Sequence, residues 1–153
     1  MTEQIDAIKL DMAREHHRRL MNAFTSVEHK SSFLLIIVAG ILTVFSLSNL
    51  WIMIENTAVG IIHLVLIIAT AIFLVLTAFF VINVIKPRKY KGDDPMQCSN
   101  IKDMTAAFED TIKNGQEVLF AKHRSFKIAC VLLTVALSIF LVDLVLVFLI
   151  HII

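Results

Sequence analysis

Three long apolar runs constrain the fold of this chain more than any other feature of its sequence. They occupy residues 33–54, 58–85 and 126–153, and the first two contain no Lys, Arg, Asp or Glu. The third contains only Lys127, near its start, and Asp143. A helix needs about 20 consecutive apolar residues to cross the hydrocarbon core of a bilayer, and each run reaches that length. The sequence therefore predicts three transmembrane helices.

The basic residues predict how these helices are oriented. All 14 Lys and Arg lie within residues 1–31 or 86–127, and none lies between the first two runs or after Lys127. Basic loops stay on the cytoplasmic side of a membrane. The N-terminus and residues 86–127 are therefore predicted to be cytoplasmic, with the C-terminus outside.

The two charged segments are predicted to form amphipathic helices that lead into the first and third spans. Asn100 is the expected N-cap of the second helix. Two apolar stripes cannot both be covered within one chain, so we expect a symmetric homo-oligomeric bundle, with a tetramer favoured. The stripes are Ile5, Ile8, Met12, Leu20, Phe24 and Val27 on the first helix, and Ile101, Met104, Phe108, Ile112 and Leu119 on the second.

The predicted fold is an all-α membrane protein with four segments. Residues 1–31 form a cytoplasmic amphipathic helix and residues 32–86 a transmembrane hairpin. Residues 87–125 form a basic turn and a second cytoplasmic helix, and residues 126–153 the third span.

Small and polar side chains recur within the spans, which indicates either close helix packing or a water-filled path between subunits. The first span carries Ser32, Ala39, Thr43, Ser46 and Asn49 on one narrow stripe. A charged side chain inside the bilayer is costly, so Asp143 should face protein or water. It could pair with His63, line the mouth of a pore, or simply anchor the helix near the outer boundary of the membrane. The candidate pore or gate residues are His63, Thr70, Thr77 and Asp143.

Catalysis is not expected. Two cytoplasmic helices leave little room for a water-excluding pocket, and the sequence contains no GxxxxGK[ST], GxGxxG, GxSxG or HExxH motif. No metal or cofactor is predicted, because the histidines do not combine into a ligand set on one helix face.

Three basic clusters precede or follow the apolar runs, and they have two explanations. They are either topology signals only or phosphate contacts for a polyanion. The phosphate candidates are Arg18, Arg19, Arg88, Lys89, Lys91, Lys122 and Arg124. The aromatic side chains nearby, which could stack on bases or anchor the chain at the membrane boundary, are Phe24, Tyr90 and Phe120.

The order of these segments resembles the Pycsar-effector-like family of bacterial membrane proteins used in antiphage defence. A "DxKA"-type approach to the first span matches "VEHKS" at residues 27–31, and an "ARKYRLLR"-type stretch before the third matches "AKHRSFK" at residues 121–127. The closest layout is the Hailong type, a three-span tetrameric channel. The resemblance implies location in the bacterial inner membrane and a ligand, a nucleotide or single-stranded oligodeoxyadenylate, made by a partner nucleotidyltransferase.

The sequence and the resemblance together predict a ligand-gated ion channel or pore that depolarises the inner membrane. Its partners would be copies of itself, the nucleotide ligand bound to the cytoplasmic bundle, and membrane lipid. The alternative is a non-catalytic accessory subunit of a larger membrane complex, whose amphipathic helices would pack against a different protein.

Overall fold

The computed structural model describes residues 2–49, 57–87, 98 and 100–152, and this part of the chain contains helices and no strand. Helix α1 spans Thr2–Asn49, α2 spans Thr57–Ile85 and α3 spans Ile101–Ile152. All three are long and apolar enough to cross a membrane. The predicted all-α, multi-pass architecture is confirmed at that level.

Two of the helices are far longer than a bilayer requires. At about 1.5 Å per residue, the 48 residues of α1 and the 52 of α3 extend roughly 72 and 78 Å. The hydrocarbon core is only about 30 Å thick. The charged segments therefore continue the first and third spans as helix, as predicted.

Asn100 caps the N-terminus of α3, which confirms the sequence-based prediction. Its side-chain Oδ1 accepts a hydrogen bond from the backbone N–H of Lys102 at 3.3 Å, and its carbonyl oxygen accepts one from Met104 at 2.9 Å. Asp103 in the first turn also suits the positive end of the helix dipole.

The chain divides into two compact units. The first contains Met1–His29 and Lys86–Arg124, and the second contains Lys30–Ile85 and Ser125–Ile153. We call them the polar unit and the apolar unit, after the composition of their described residues. Each unit takes one part of α1 and one part of α3, and α2 belongs to the apolar unit.

The core of the polar unit corrects the predicted stripe on α1. Leu10 and Ala13 are buried against Phe108 and Met104 of α3. Leu20 and Phe24 are also buried, as their place in the stripe implies, whereas Ile5, Ile8 and Met12 are 48%, 57% and 64% exposed. The reason is the helical period: the buried face continues through positions 10, 13, 17, 20 and 24, and the first three members of the predicted stripe lie on another face.

The core of the apolar unit joins all three helices. Its buried side chains are Leu34, Val38, Leu74, Val81, Ala129, Leu133 and Ala136. The outward faces of α2 and α3 carry large apolar side chains such as Ile72, Val75 and Leu141, which are 54%, 60% and 59% exposed. An apolar core surrounded by an apolar surface is what a helix bundle in lipid requires.

Six of the seven described positions of α3 that are buried are spaced by seven residues, and the seventh is Leu133. A strict seven-residue repeat is typical of helices that pack as in a left-handed coiled coil, with one seam facing its partners. Gly115 lies on this seam and is buried, at a position where the absence of a side chain permits a close helix crossing. The seam positions are Phe108, Gly115, Lys122, Ala129, Ala136 and Asp143.

Candidate functional site

Arg18 and Arg19, the first basic cluster, share one acidic partner. Glu15 accepts from Arg18 at 2.9 Å and from Arg19 at 3.1 Å, at i+3 and i+4 spacing on α1. The hydrogen bond from Arg19, together with the charge of Arg18, holds the pKa of Glu15 below its ordinary value of 4.5. Both guanidinium side chains are still 73% exposed. They are therefore reachable by a polyanion that competes with Glu15.

Lys122 is buried, although its charged neighbours in the sequence predict a surface position. Its side chain is only 3% exposed, and its Nζ donates to the Glu28 carboxylate at 2.5 Å. The same Nζ lies 5.6 Å from the centre of the Phe24 ring, within the range of a cation–π contact. Lys122 is thus a paired group on the seam between α1 and α3, and Phe24 is its buried neighbour. Neither side chain is on the surface where a phosphate or a base would arrive.

Arg124 and Phe120 are on the surface of the polar unit. Arg124 is exposed, and Phe120 is 81% exposed. The remaining candidates, Arg88, Lys89, Tyr90 and Lys91, lie outside the described residues. Whether the three clusters converge on one ligand stays a prediction.

His63 and Asp143 form a buried pair in the apolar unit. The His63 Nδ1 lies 2.7 Å from the Asp143 Oδ1, and the two side chains are 11% and 6% exposed. The pairing anticipated from the sequence is confirmed. It joins α2 to α3, because a carboxylate in an apolar bundle needs a hydrogen-bonding partner within the protein.

Thr70 and Thr77 lie on the same buried face of α2 as His63. They are 1% and 0% exposed, and their hydroxyls donate to the backbone carbonyls of Leu66 and Phe73, one turn earlier. All four pore or gate candidates are therefore inside the packing of a single chain. A path between subunits would not reach them in this arrangement, so their burial favours close helix packing.

The stripe of small residues on the first span is exposed, unlike the four buried pore candidates. Ser32, Ala39 and Thr43 are exposed on the outside of the apolar unit, and so is Gly40, whereas the side chains of Ser46 and Asn49 lie outside those that the structure describes. Two large side chains also lie on this face, Phe33 and Ile36, which are 66% and 68% exposed. We call Ser32, Ala39, Gly40 and Thr43 the small face of α1.

Gly40 is the residue that the sequence reasoning missed. A Cβ placed on it would meet no atom of the described residues within 4 Å. Glycine inside a helix costs about 1 kcal/mol relative to alanine, and the packing of the described residues does not require it. The signal available in the sequence was its position directly after Ala39 and three residues before Thr43.

No protein-family model, no curated protein and no solved structure matches the chain. The likeness in layout to three-span defence effectors therefore stays a prediction. The function has to be inferred from the chain's own residues.

Proposed function

We propose that the chain is a homo-oligomeric ion channel or pore of bacterial antiphage defence, controlled by a nucleotide or a single-stranded oligonucleotide. The small face of α1 carries this proposal. It groups four small residues on the outside of a unit whose exposed side chains elsewhere are mostly large and apolar, as lipid requires, and it is flanked by Phe33 and Ile36. Small residues on a membrane helix permit close approach of another helix or of water.

The open space around Gly40 is the specific reason to expect a second copy at this face. A glycine that no described part of its own chain requires is explained if the α1 helix of a neighbouring subunit packs there. Thr43 already donates to the carbonyl oxygen of Ala39 at 2.9 Å. Its hydroxyl oxygen can still accept a hydrogen bond from water or an ion's hydration shell. In a symmetric assembly, α1 would line the path.

The His63–Asp143 pair has an indirect role in this proposal. Because it ties α2 to α3 inside one subunit, it holds the scaffold on which α1 is carried. We expect this contact to persist while the channel opens and closes. The pair is therefore proposed to stabilise the subunit and not to conduct ions.

Arg18, Arg19 and Arg124 are the proposed contacts for the controlling polyanion. All three are exposed, and guanidinium groups suit bidentate contacts to phosphate. We leave Lys122 out of the proposed set, because its side chain is 3% exposed and pairs with Glu28.

Ion flux from vesicles tests the channel proposal. The purified chain, reconstituted into liposomes loaded with K⁺, is assayed with and without short oligodeoxyadenylate and should release K⁺ in at least one of the two conditions. Gly40→Phe should abolish that release because a large ring prevents close approach of α1 helices. Val75→Phe is the matched control, because Val75 is 60% exposed on α2 among lipid-facing side chains. Equal flux from both variants, or no release from the parent chain in either condition, would contradict the proposal.

Binding of short oligodeoxyadenylate at two salt concentrations tests the ligand. A single strand should bind with a log–log salt slope of about −0.7 per phosphate neutralised. The double change Arg18→Gln, Arg19→Gln should weaken binding and flatten the slope. Lys102→Gln with Lys113→Gln removes the same charge from exposed positions of α3 and should leave both unchanged. Absence of binding at low salt reduces the basic residues to topology signals.

The mass of the purified protein separates the channel from an accessory subunit. Ile5, Ile8 and Met12 form an exposed apolar stripe on the polar unit, which suits a partner of either kind. A homo-oligomer in detergent supports the channel, and a monomer that leaks no ions supports the accessory subunit.

A further inference from the structure

The apolar stripe of Ile5, Ile8 and Met12 is exposed on the polar unit. Ile8 and Met12 are 57% and 64% exposed. Ile8 lies about 160° around α1 from Leu10 and about 140° from Ala13, the two residues that are buried against α3. The described part of the chain therefore leaves the stripe uncovered, with Ile8 on the side of α1 that faces away from α3.

Contacts between α1 and α3 show which residues of the polar unit lie at the same level along the helix axes. The two helices run in the same direction there, and Arg14 contacts Met104 as Glu28 contacts Lys122. The partners are 90 and 94 residues apart in the sequence. Each residue of α1 in this unit is therefore level with a residue of α3 about 90–94 positions later.

A neighbouring copy of the chain must present its residues at matching levels. Copies of one membrane protein cross the bilayer in the same direction, so the axis of a cyclic assembly runs along the membrane normal. Rotation about that axis leaves every residue at its own level. Ile8 and Met12 can therefore meet only the part of a neighbouring α3 near residues 98–106.

A recess of about 520 Å³ lies at this level on α3. Ala106 and Asp110 each lie about 160° around the helix from the buried Phe108, so both face away from α1. The small side chains of Ala106 and Ala107 leave room for a larger side chain from outside. The lining residues are Cys98, Asp103, Ala106, Ala107, Glu109 and Asp110.

The charges beside the stripe and the recess are complementary. On α1, Arg18 and Arg19 share the single carboxylate of Glu15, which leaves one positive charge unbalanced. On α3, Asp103 and Asp110 form no ion pair with any residue that the structure describes. Asp110 comes 92 and 91 positions after Arg18 and Arg19 and is therefore level with both. A second copy would bring a further carboxylate to the two guanidinium groups.

We propose that this recess is the docking site for the stripe of a second copy of the chain. Ile8 and Met12 of one copy enter the recess on α3 of the next, whose Asp110 approaches Arg18 and Arg19. The two surfaces differ, so the contact is head-to-tail and can repeat around a ring. It rests on the proposed homo-oligomer and goes further, since it identifies the surface that joins the polar units. The proposed polyanion and the neighbour's Asp110 would then compete for the same guanidinium groups.

Disulfide crosslinking tests the contact. In a Cys130→Ala background Cys98 is the remaining native thiol, and Ile8→Cys adds a thiol that is level with Cys98 of a neighbour. Oxidation with copper phenanthroline in detergent should join these thiols between copies and give a ladder beyond the dimer on a non-reducing gel, because a head-to-tail link leaves a thiol at both ends. Adding Cys98→Ser should abolish the ladder. Lys9→Cys is the matched control and should give none, because Lys9 is exposed about 100° further around α1.

The charges of the contact are tested separately. Asp110→Asn should raise the dissociation constant between subunits in detergent by up to about fivefold, the effect of one exposed ion pair. Glu117→Gln removes the same charge from an exposed position of α3 two turns further on and should leave that constant unchanged. Equal constants for the two variants would contradict the approach of Asp110 to the guanidinium groups.

Three crosslinking results would overturn the proposal. An oligomer of normal mass that gives no ladder means that the stripe lies elsewhere, although the homo-oligomer of the channel proposal stands. A ladder of equal extent from Lys9→Cys means that the thiols meet without a specific contact. Dimers that still form after Cys98→Ser mean that the stripe meets itself across a two-fold axis. A monomeric mass before oxidation would instead contradict the homo-oligomer itself.

Discussion

Removing either partner of the Lys122–Glu28 pair should have unequal effects on stability. Lys122 is 3% exposed, whereas the Glu28 side chain is 41% exposed. Glu28→Gln therefore leaves a buried ammonium group without its counter-charge, whereas Lys122→Met removes the buried charge and leaves a carboxylate that water reaches. A broken buried pair typically costs 3–5 kcal/mol when one charge stays behind.

The magnitude follows from the exposure of each partner. Since water reaches Glu28, we lower the expected cost of Glu28→Gln to about 2 kcal/mol, roughly a thirtyfold change in the unfolding equilibrium. Lys122→Met loses the contact with Phe24, worth about 1 kcal/mol, but fills the site with an apolar chain of similar length. Its net cost should stay within about 1 kcal/mol.

Denaturant unfolding in detergent, followed by helical circular dichroism, measures both changes. The double change Glu28→Gln, Lys122→Met should recover most of the stability that Glu28→Gln loses, because no buried charge is left unpaired. Equal losses from the two single variants would refute this reasoning, as would a double variant no more stable than Glu28→Gln alone.

Three further results are expected. The double change Ile8→Ser, Met12→Ser should dissociate the oligomer in size-exclusion chromatography without loss of helix, since both side chains are exposed. Phe108→Ser should instead lower the free energy of unfolding by about 3 kcal/mol, because it empties a packed site. Dissociation of the oligomer by Phe108→Ser, with no effect of the double change, would show that Phe108 faces a neighbouring subunit. The Nδ1 of His17 is buried with no hydrogen-bond partner among the described residues, and the centroids of the His17 and Phe108 rings are 5.5 Å apart. His17→Leu should therefore raise the free energy of unfolding by about 1 kcal/mol. A lower free energy of unfolding would mean that the nitrogen has a partner. Because the pKa of Glu15 is lowered in the folded chain, its contribution to the stability of the fold is present above pH 4.5 and is lost as the pH falls through that lowered value. Carboxyl NMR should show the titration midpoint of Glu15 moving up in Arg19→Gln. An unmoved midpoint would show that Arg19 is not the cause.

The sequence predicted the helices well because long apolar runs and a cap are local signals. The three spans and the Asn100 cap need no knowledge of what packs where. The His63–Asp143 contact was also accessible, since two ionisable side chains in apolar helices have few partners other than each other.

The faces of the helices were harder to predict, because packing decides them. Counting only apolar residues grouped Ile5 and Ile8 in one stripe with the buried Leu20 and Phe24, and left Lys122 among the surface candidates for phosphate contact. The seam of α3 in fact passes through Gly115 and Lys122, two residues that an apolar count omits. Their seven-residue spacing from Phe108 and Ala129 was the signal that could have identified them.

Cysteine accessibility during current recording tests most directly whether α1 lines a conducting path. In a background with Cys98→Ser and Cys130→Ala, which removes both native thiols, Thr43→Cys places one thiol on the small face and Val75→Cys places one among lipid-facing side chains. The channel account predicts that a charged, water-soluble methanethiosulfonate reduces the current of Thr43→Cys in a planar bilayer and leaves that of Val75→Cys unchanged. A Thr43→Cys current that is unaffected by the reagent, although mass spectrometry shows the thiol modified, would contradict it.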